Sequence, residues 1–240
     1  MSQTSASLRV VNEIIVFDMD GVLVEVSESY RETICRTVEL FTGRKITRDL
    51  VQEYKNQGGY NNDFLLSQKI AADLGVRVPY DRVSEEFNRI FYGNIIDGMP
   101  DGLMSRERWI PRGGLLSQLT RRYQLALFTG RSREEAQMTL RRFAPDVPFL
   151  PLIGDEDVTN GKPDPEGLLK IKDGFPDREL WYVGDTVDDA RSASAAGVPF
   201  IGVAAPAVHD RTRLLALFEQ QHAVAIIEDI NQLPSVVDNR

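Results

Sequence analysis

Two aspartates, Asp18 and Asp20, follow an apolar run at residues 14–17 and precede Gly21. The run is typical of a buried parallel strand because it is β-branched and aromatic. Open α/β sheets bind ligands at the carboxyl ends of such strands. Carboxylates placed there can act as nucleophiles, proton carriers or metal ligands. Since an isolated Asp-x-Asp pair also suits a solvated turn, the later motifs decide between the two interpretations.

Two later segments each present one polar side chain in a defined local setting. Thr129 and Gly130 follow the apolar run at residues 125–128 and precede a helical pattern. Thr129 alone would also suit a helix cap or a turn. Lys162 lies between turn-forming residues in the segment Asn160–Pro165. Most loop lysines are solvated, so neither segment is specific by itself.

A fourth segment ends in a cluster of carboxylates. The apolar residues at 181–183 and Gly184 precede Asp185, Asp188 and Asp189. Like charges at this spacing repel each other, and a bound cation is the usual means of making such a cluster tolerable.

In this order, the four motifs resemble those of the haloacid dehalogenase superfamily, subfamily IA, and its phosphoglycolate-phosphatase-like branch. The resemblance extends from about residue 14 to residue 203. It implies an α/β fold with a doubly wound parallel sheet and an inserted helical cap. It also implies a Mg²⁺-dependent hydrolase of small phosphorylated metabolites that works through an aspartyl-phosphate intermediate.

Phosphoryl transfer needs a nucleophile, a proton source and positive charge around the phosphoryl oxygens. Asp18 is the candidate nucleophile, and the resemblance assigns it the same role. Asp20 would protonate the leaving group and later accept a proton from the attacking water. Thr129, Gly130 and Lys162 would bind the phosphate.

Three of the motif aspartates are the candidate metal ligands. Asp18 and Asp185 would supply carboxylate oxygens to Mg²⁺, and Asp20 would contribute through its main-chain carbonyl. Asp188 and Asp189 would support the metal ligands or reach the ion through water, and the role of Asp188 is the less defined of the two.

The same superfamily contains other activities. Dehalogenases of the superfamily generally lack an acid equivalent to Asp20, so this residue favours phosphate over halide. A phosphonate-cleaving relative would need a cap lysine such as Lys45 or Lys55, and both are more simply explained as surface groups. A phosphomutase and a non-catalytic sensor of phosphorylated metabolites remain alternatives.

Strand and helix patterns divide the chain into two predicted domains. Residues 10–24 and 110–240 form the catalytic core, with strands near residues 14–17, 125–128, 149–153, 181–183, 200–203 and 223–227. Residues 25–109 are predicted as helices without a strand, the first beginning at Ser27 and another covering residues 64–74. The candidates for substrate specificity are Tyr30, Arg31, Gly58, Gly59, Tyr60, Asn61, Asn62 and Arg131, although Tyr30, Arg31 and Arg131 also suit a helix surface.

The overall composition excludes some partners. The 240 residues carry a formal net charge of -8, which disfavours nucleic-acid binding. The longest apolar runs are of strand length, so we expect no membrane association. Residues Met1–Arg9 lack the apolar core of a secretory signal, so disorder there and a cytoplasmic location are expected. Oligomeric state is left open.

Overall fold

The computed structural model describes residues 12–60, 62–96 and 99–238. Asn61 and the segment Met1–Arg9 therefore lie outside the described residues. The strands are β1 (Glu13–Phe17), β2 (Val24–Glu25), β3 (Ile95–Ile96), β4 (Met99–Pro100), β5 (Arg108–Trp109), β6 (Gln124–Phe128), β7 (Phe149–Ile153), β8 (Glu179–Gly184), β9 (Phe200–Val203) and β10 (Ala225–Ile227). The helices are α1 (Tyr30–Thr42), α2 (Arg48–Gln57), α3 (Asp63–Asp73), α4 (Tyr80–Tyr92), α5 (Leu115–Leu119), α6 (Arg133–Phe143), α7 (Glu166–Gly174), α8 (Val187–Ala196), α9 (Arg211–Gln220) and α10 (Leu233–Val237).

The main sheet of the described residues has six parallel strands in the order β10-β9-β8-β1-β6-β7. Alternate residues of β1 point to opposite faces, as the two-residue period of a strand requires. Ile15 and Phe17 pack with α5, α6 and α10 on one face, whereas Ile14 and Val16 pack with α7, α8 and α9 on the other. The predicted doubly wound α/β fold is confirmed.

The strand order reverses beside β1, and this reversal locates a binding crevice. β6 and β7 extend the sheet on one side of β1, and β8 to β10 extend it on the other. In doubly wound sheets, ligands bind outside the carboxyl ends of the strands at such a switch point. Asp18 follows β1, and its N–H donates to the carbonyl of Val183 in β8 at 2.8 Å. The fold therefore places the first aspartate of the pair in this crevice.

A helical segment is inserted between β2 and β5, as the sequence predicted. α1, α3 and α4 pack together through apolar side chains that include Ile34, Leu66 and Phe87. The predicted absence of strands between residues 25 and 109 is wrong, because β3 and β4 pair as a two-stranded antiparallel ribbon. Two-residue strands carry no measurable alternation, so a search for periodicity cannot detect them.

The first inserted helix starts later than predicted. Ser27 donates its N–H and its hydroxyl to the Glu25 carboxylate, which stabilises a turn in place of a first helical residue. α1 consequently begins at Tyr30 and ends at Thr42. Gly43 caps it with a φ of 66°, the left-handed conformation that glycine adopts without strain. In the described part of the chain, no helix is both long and apolar enough to cross a membrane.

Candidate active site

A buried lysine connects two of the predicted site carboxylates. Lys162 Nζ lies 2.8 Å from Asp18 Oδ1 and 2.7 Å from Asp189 Oδ1. All three side chains are almost completely buried. Burial raises the pKa of Asp18 well above its ordinary value, and the charge of Lys162 opposes this shift. The lysine therefore stabilises negative charge on Asp18 in a place where water does not.

Asp189 is held by local structure as well as by this lysine. Thr186 is the N-cap of α8, and its N–H and hydroxyl both donate to Asp189 Oδ2. Tyr182 donates its hydroxyl to Asp189 Oδ1 at 2.6 Å. Burial alone would raise the pKa of Asp189, but Lys162 and these hydrogen bonds lower it below the ordinary value. Asp189 is therefore an anionic anchor for Lys162.

Carboxylate oxygens of Asp18, Asp185 and Asp189 lie within 4.8 Å of one another. The pKa of Asp185 is raised to about 7, mainly by burial and secondly by the negative charge of Asp189. Among the described residues, the cation that pairs with Asp185 is the Arg31 guanidinium, whose Nη2 is 3.9 Å from Oδ2. Such a group of hard oxygen donors, short of neutralising charge, fits a divalent metal ion. Asp20 contributes no carboxylate oxygen to this cluster.

The second predicted aspartate faces an arginine instead. Arg131 Nε lies 2.8 Å from Asp20 Oδ1, and Nη2 also donates to this oxygen. The other side of the guanidinium meets Glu107, with Nη2 and Oε1 separated by 2.7 Å. Arg131 is only 2% exposed, so it does not lie on a helix surface.

The site opens into a cavity of about 450 Å³ between the sheet and the inserted helices. Core residues that line it include Asp18, Asp20, Gly130, Arg131 and Asp185, and inserted residues that line it include Tyr30, Arg31, Lys55, Asn62 and Asn88. Thr129 and Lys162 are buried beside the cavity. Arg31 Nε is buried without a hydrogen-bond partner among the described residues, which leaves a donor available at the cavity wall.

The predicted specificity residues separate into two groups. Tyr30, Arg31, Asn62 and Arg131 line the cavity, whereas Gly58, Gly59 and Tyr60 are not among its described lining residues. Gly59 donates its N–H to the Asp188 carboxylate, and Tyr60 packs against Tyr54. Asn61 cannot be placed, since it lies outside the described residues.

Lys55 has an environment that the sequence did not predict. Its Nζ lies 2.8 Å from Asp63 Oδ1, and its side chain is 16% exposed at the cavity wall. Burial alone would lower the pKa of Lys55, but the ion pair with Asp63 raises it. A lysine held in its protonated form is a poor nucleophile, which disfavours the phosphonate-cleaving alternative.

Gly21 is required where the loop after β1 approaches Asp185. Its φ is +73°, and a Cβ atom there would lie 1.9 Å from Asp185 Oδ2. We expect Gly21→Ala to lower the free energy of unfolding by about 2–5 kcal/mol, from left-handed strain and steric overlap. Gly43→Ala is the matched control, because the φ of Gly43 is similar and an added Cβ there would approach no atom outside the neighbouring residues within 4 Å. Urea unfolding measures both variants, and equal losses would contradict a role for the close approach.

Asp188 connects the inserted segment to α8. Gly59 N–H lies 2.8 Å from Asp188 Oδ2 and 3.0 Å from Oδ1, and Arg191 Nη1 is 3.6 Å from Oδ1. Gly58 lies so close to Arg191 that an added Cβ would be 2.0 Å from Nη1. Asp188 therefore has partners of its own outside the carboxylate cluster.

This arrangement predicts the effect of removing Asp188. We expect Asp188→Ala to lower the free energy of unfolding by about 1–3 kcal/mol, because the hydrogen bonds from the Gly59 N–H to the buried Asp188 carboxylate are lost. Affinity for a divalent metal, measured by titration calorimetry with Mg²⁺ as the probe, should fall less than about tenfold. Removal of a residue that supports a metal ligand typically costs about 10–100-fold, and Asp188 lies outside the carboxylate cluster. Asp185→Asn is the comparison that should weaken metal binding far more. A large loss of affinity in Asp188→Ala would instead place Asp188 at the metal.

Sequence reasoning missed several polar residues of the site. Glu107 is buried beside Arg131, and Glu135 accepts hydrogen bonds from the hydroxyls of Tyr30 and Tyr92. Glu135 had a local signal, because Ser132 and Glu135 have the spacing of a capping box, which the structure contains. Glu107 had none, since its partners are distant in the chain.

The sequence model of the haloacid dehalogenase-like hydrolases matches residues 13–197, and the chain belongs to this family. A Phytophthora nicotianae protein named imidazoleglycerol-phosphate dehydratase is 32% identical over 208 residues, which cover 83% of this chain. The match spans only 45% of that longer protein. A phosphorylated carbohydrates phosphatase of Thermotoga maritima is 27% identical over 231 residues, covering 94% of this chain and 100% of that protein.

Solved structures agree with this assignment. A phosphatase from Thermococcus thioreducens superposes with a TM-score of 0.60 at 26% identity, covering 85% of this chain and 98% of that chain. Both the predicted family and the predicted phosphatase class of the enzyme are confirmed.

Proposed function

We propose that this enzyme is a Mg²⁺-dependent phosphomonoester hydrolase that acts on a small phosphorylated metabolite through an aspartyl-phosphate on Asp18. The observation that carries the proposal is the convergence of Asp18, Asp20 and Asp185 on one cavity, with Lys162 bonded to Asp18. Relatives that act on phosphorylated carbohydrates support the substrate class.

Asp18 is the nucleophile in this proposal. One of its carboxylate oxygens attacks phosphorus while the bond to the leaving oxygen breaks, and water later cleaves the acyl-phosphate. Lys162 holds Asp18 Oδ1 at 2.8 Å and fixes the direction of attack. Thr129 and the N–H of Gly130 bind the equatorial oxygens from the loop between β6 and α6, where Gly130 lines the cavity.

Asp20 moves the protons of both half-reactions. Its carboxyl group protonates the leaving oxygen, and the resulting carboxylate takes a proton from the attacking water. Its side chain is 32% exposed at the cavity, so it can reach a substrate oxygen there. This second acid distinguishes phosphate hydrolysis from halide displacement, because halide leaves without a proton.

Asp18 and Asp185 would hold Mg²⁺ together with the main-chain carbonyl of Asp20. When bound, the ion supplies positive charge that offsets repulsion between the nucleophile and the phosphoryl oxygens. Asp189 would act mainly on Lys162, to which it is bonded at 2.7 Å. Hard oxygen donors of this kind are the ligands that Mg²⁺ prefers.

Residues 25–109 form the cap of the proposed enzyme, and residues 10–24 and 110–240 form its core. The cap covers the cavity, so its lining residues contact the leaving group and select the substrate. Arg31 is the first candidate because its Nε has no partner among the described residues. Tyr30 and Asn62 are further candidates on the cap side of this wall.

The test is phosphate release from a panel of sugar phosphates, phosphoglycolate, histidinol phosphate and nucleotides, with and without Mg²⁺. Release that requires the metal and produces stoichiometric free phosphate supports the proposal and ranks the substrates. An isomerised product without free phosphate, formed only with an activating bisphosphate, would instead indicate a phosphomutase. Binding without turnover by metal-loaded, folded protein would indicate a sensor.

A further inference from the structure

Arg131 is a fully enclosed guanidinium between two acids. Its Nε donates to Asp20 at 2.8 Å, its Nη2 donates to Glu107 at 2.7 Å, and its Nη1 donates to Thr139 at 2.8 Å. The ring of Tyr30 covers one face, with the guanidinium carbon 4.8 Å from the ring centroid. A buried arginine with this many directional partners has one favourable orientation.

The two acids differ in exposure. The side chains of Arg131 and Glu107 are each 1% exposed, whereas that of Asp20 is 32% exposed. Glu107 also accepts from the Thr139 hydroxyl at 3.3 Å. Glu107 and Arg131 therefore form a fixed support, and the Asp20 carboxyl group extends from this support into the cavity.

Glu107 lies at the connection between the inserted segment and the core. It lies immediately before β5, where the inserted segment returns to the core, and Tyr30 opens α1 near the other connection. Its carboxylate offsets the charge of Arg131, so the pair gives Asp20 directional hydrogen bonds rather than a strong net field. Glu107 is not itself among the described lining residues of the cavity, and it meets this lining through Arg131 rather than through Asp20.

We propose that Glu107 is a positioning residue for proton transfer. Through Arg131, it holds the Asp20 carboxyl group where the proton passes to the leaving oxygen as the P–O bond to that oxygen breaks and the bond to Asp18 forms. This inference rests on the proposed role of Asp20 as the acid.

Leaving-group dependence tests this role. 4-Nitrophenolate leaves with little need of a proton, whereas an alkoxide requires one. We expect Glu107→Gln to lower kcat/KM at least tenfold for the best alkyl phosphate of the panel and less than threefold for 4-nitrophenyl phosphate. The comparison uses kcat/KM because this constant reports the step that breaks the bond to the leaving group, before water cleaves the acyl-phosphate.

Three further variants make the outcome decisive. Asp20→Asn should show the same selectivity with a larger loss, and Glu107→Asp should recover part of the alkyl phosphate activity. Gly43→Ala, a destabilising change distant from Arg131, should affect both substrates equally.

Equal losses on both substrates in Glu107→Gln, with selectivity kept in Asp20→Asn, would overturn the positioning role alone. Absence of selectivity in Asp20→Asn would overturn the proposed acid and this inference together. If Glu107→Gln does not fold, Glu107→Asp takes its place in the comparison, and a selective loss supports the role while an equal loss rejects it.

Discussion

Replacing Asp18 by asparagine is expected to lower kcat at least about 10⁴-fold, because the amide cannot form the acyl-phosphate. The fold should persist. In the absence of metal, Asp18 repels Asp185 and Asp189, whose oxygens lie within 4.8 Å of it and of each other. Removing one charge from this cluster should leave the midpoint of thermal unfolding in EDTA unchanged or raise it. The increase of this midpoint on addition of Mg²⁺ should be smaller than in the wild type.

Asp173→Asn is the matched control, because the same chemical change is made on an exposed residue of α7. Its turnover and both thermal midpoints should equal those of the wild type. Residual turnover above about 1% in Asp18→Asn, after asparagine deamidation is excluded by mass spectrometry, would contradict the nucleophile assignment.

The second large effect is expected from Lys162→Met. Lys162 is the cation bonded to both Asp18 and Asp189, and its side chain is 1% exposed. Its removal leaves two buried carboxylates without their partner, which should lower the free energy of unfolding by about 3–5 kcal/mol. Phosphate release should fall about 10²- to 10³-fold, since positive charge at the nucleophile is lost. Urea unfolding and steady-state kinetics measure the two effects.

Lys170→Met provides the comparison. Lys170 forms an ion pair with Glu166 at 2.7 Å, but its side chain is 47% exposed. Surface pairs of this kind contribute about 0–1 kcal/mol, so this variant should remain stable and active. Equal stability of the two variants would show that the buried lysine is not needed to compensate the carboxylates.

The sequence predicted the sheet and its motif positions well because both depend on local patterns. All six strands of the main sheet were located from short apolar runs, and each acidic or hydroxyl motif was found directly after one of them. A parallel sheet brings the carboxyl ends of its strands to one edge, so residues distant in sequence could be placed together. The meeting of Asp18 and Asp185 follows from this geometry.

The partners of the predicted residues could not be obtained in this way. Asp188 was expected to act on the metal only indirectly, and the sequence did not indicate that its oxygens accept the N–H of Gly59, which comes from a turn distant in sequence. Arg131 was considered a surface or substrate residue, yet it is buried between Asp20 and Glu107. Contacts of this kind depend on the angle at which the inserted helices pack over the sheet. A hydrophobic pattern in the sequence does not specify that packing angle.

The short ribbon of β2 and β5 affects how the inserted segment can change during evolution. Val24 pairs with Trp109 and Glu25 pairs with Arg108, so the chain leaves the sheet and returns to it at neighbouring positions. Closing the core therefore depends little on how many residues lie between them, and doubling a flexible insert would cost only about 0.6 kcal/mol in closure entropy. Mutation can lengthen, shorten or exchange the inserted segment while the strand order and the aspartates stay in place. Under the proposed division of roles, such changes would alter the substrate and leave the aspartates that perform the chemistry unchanged.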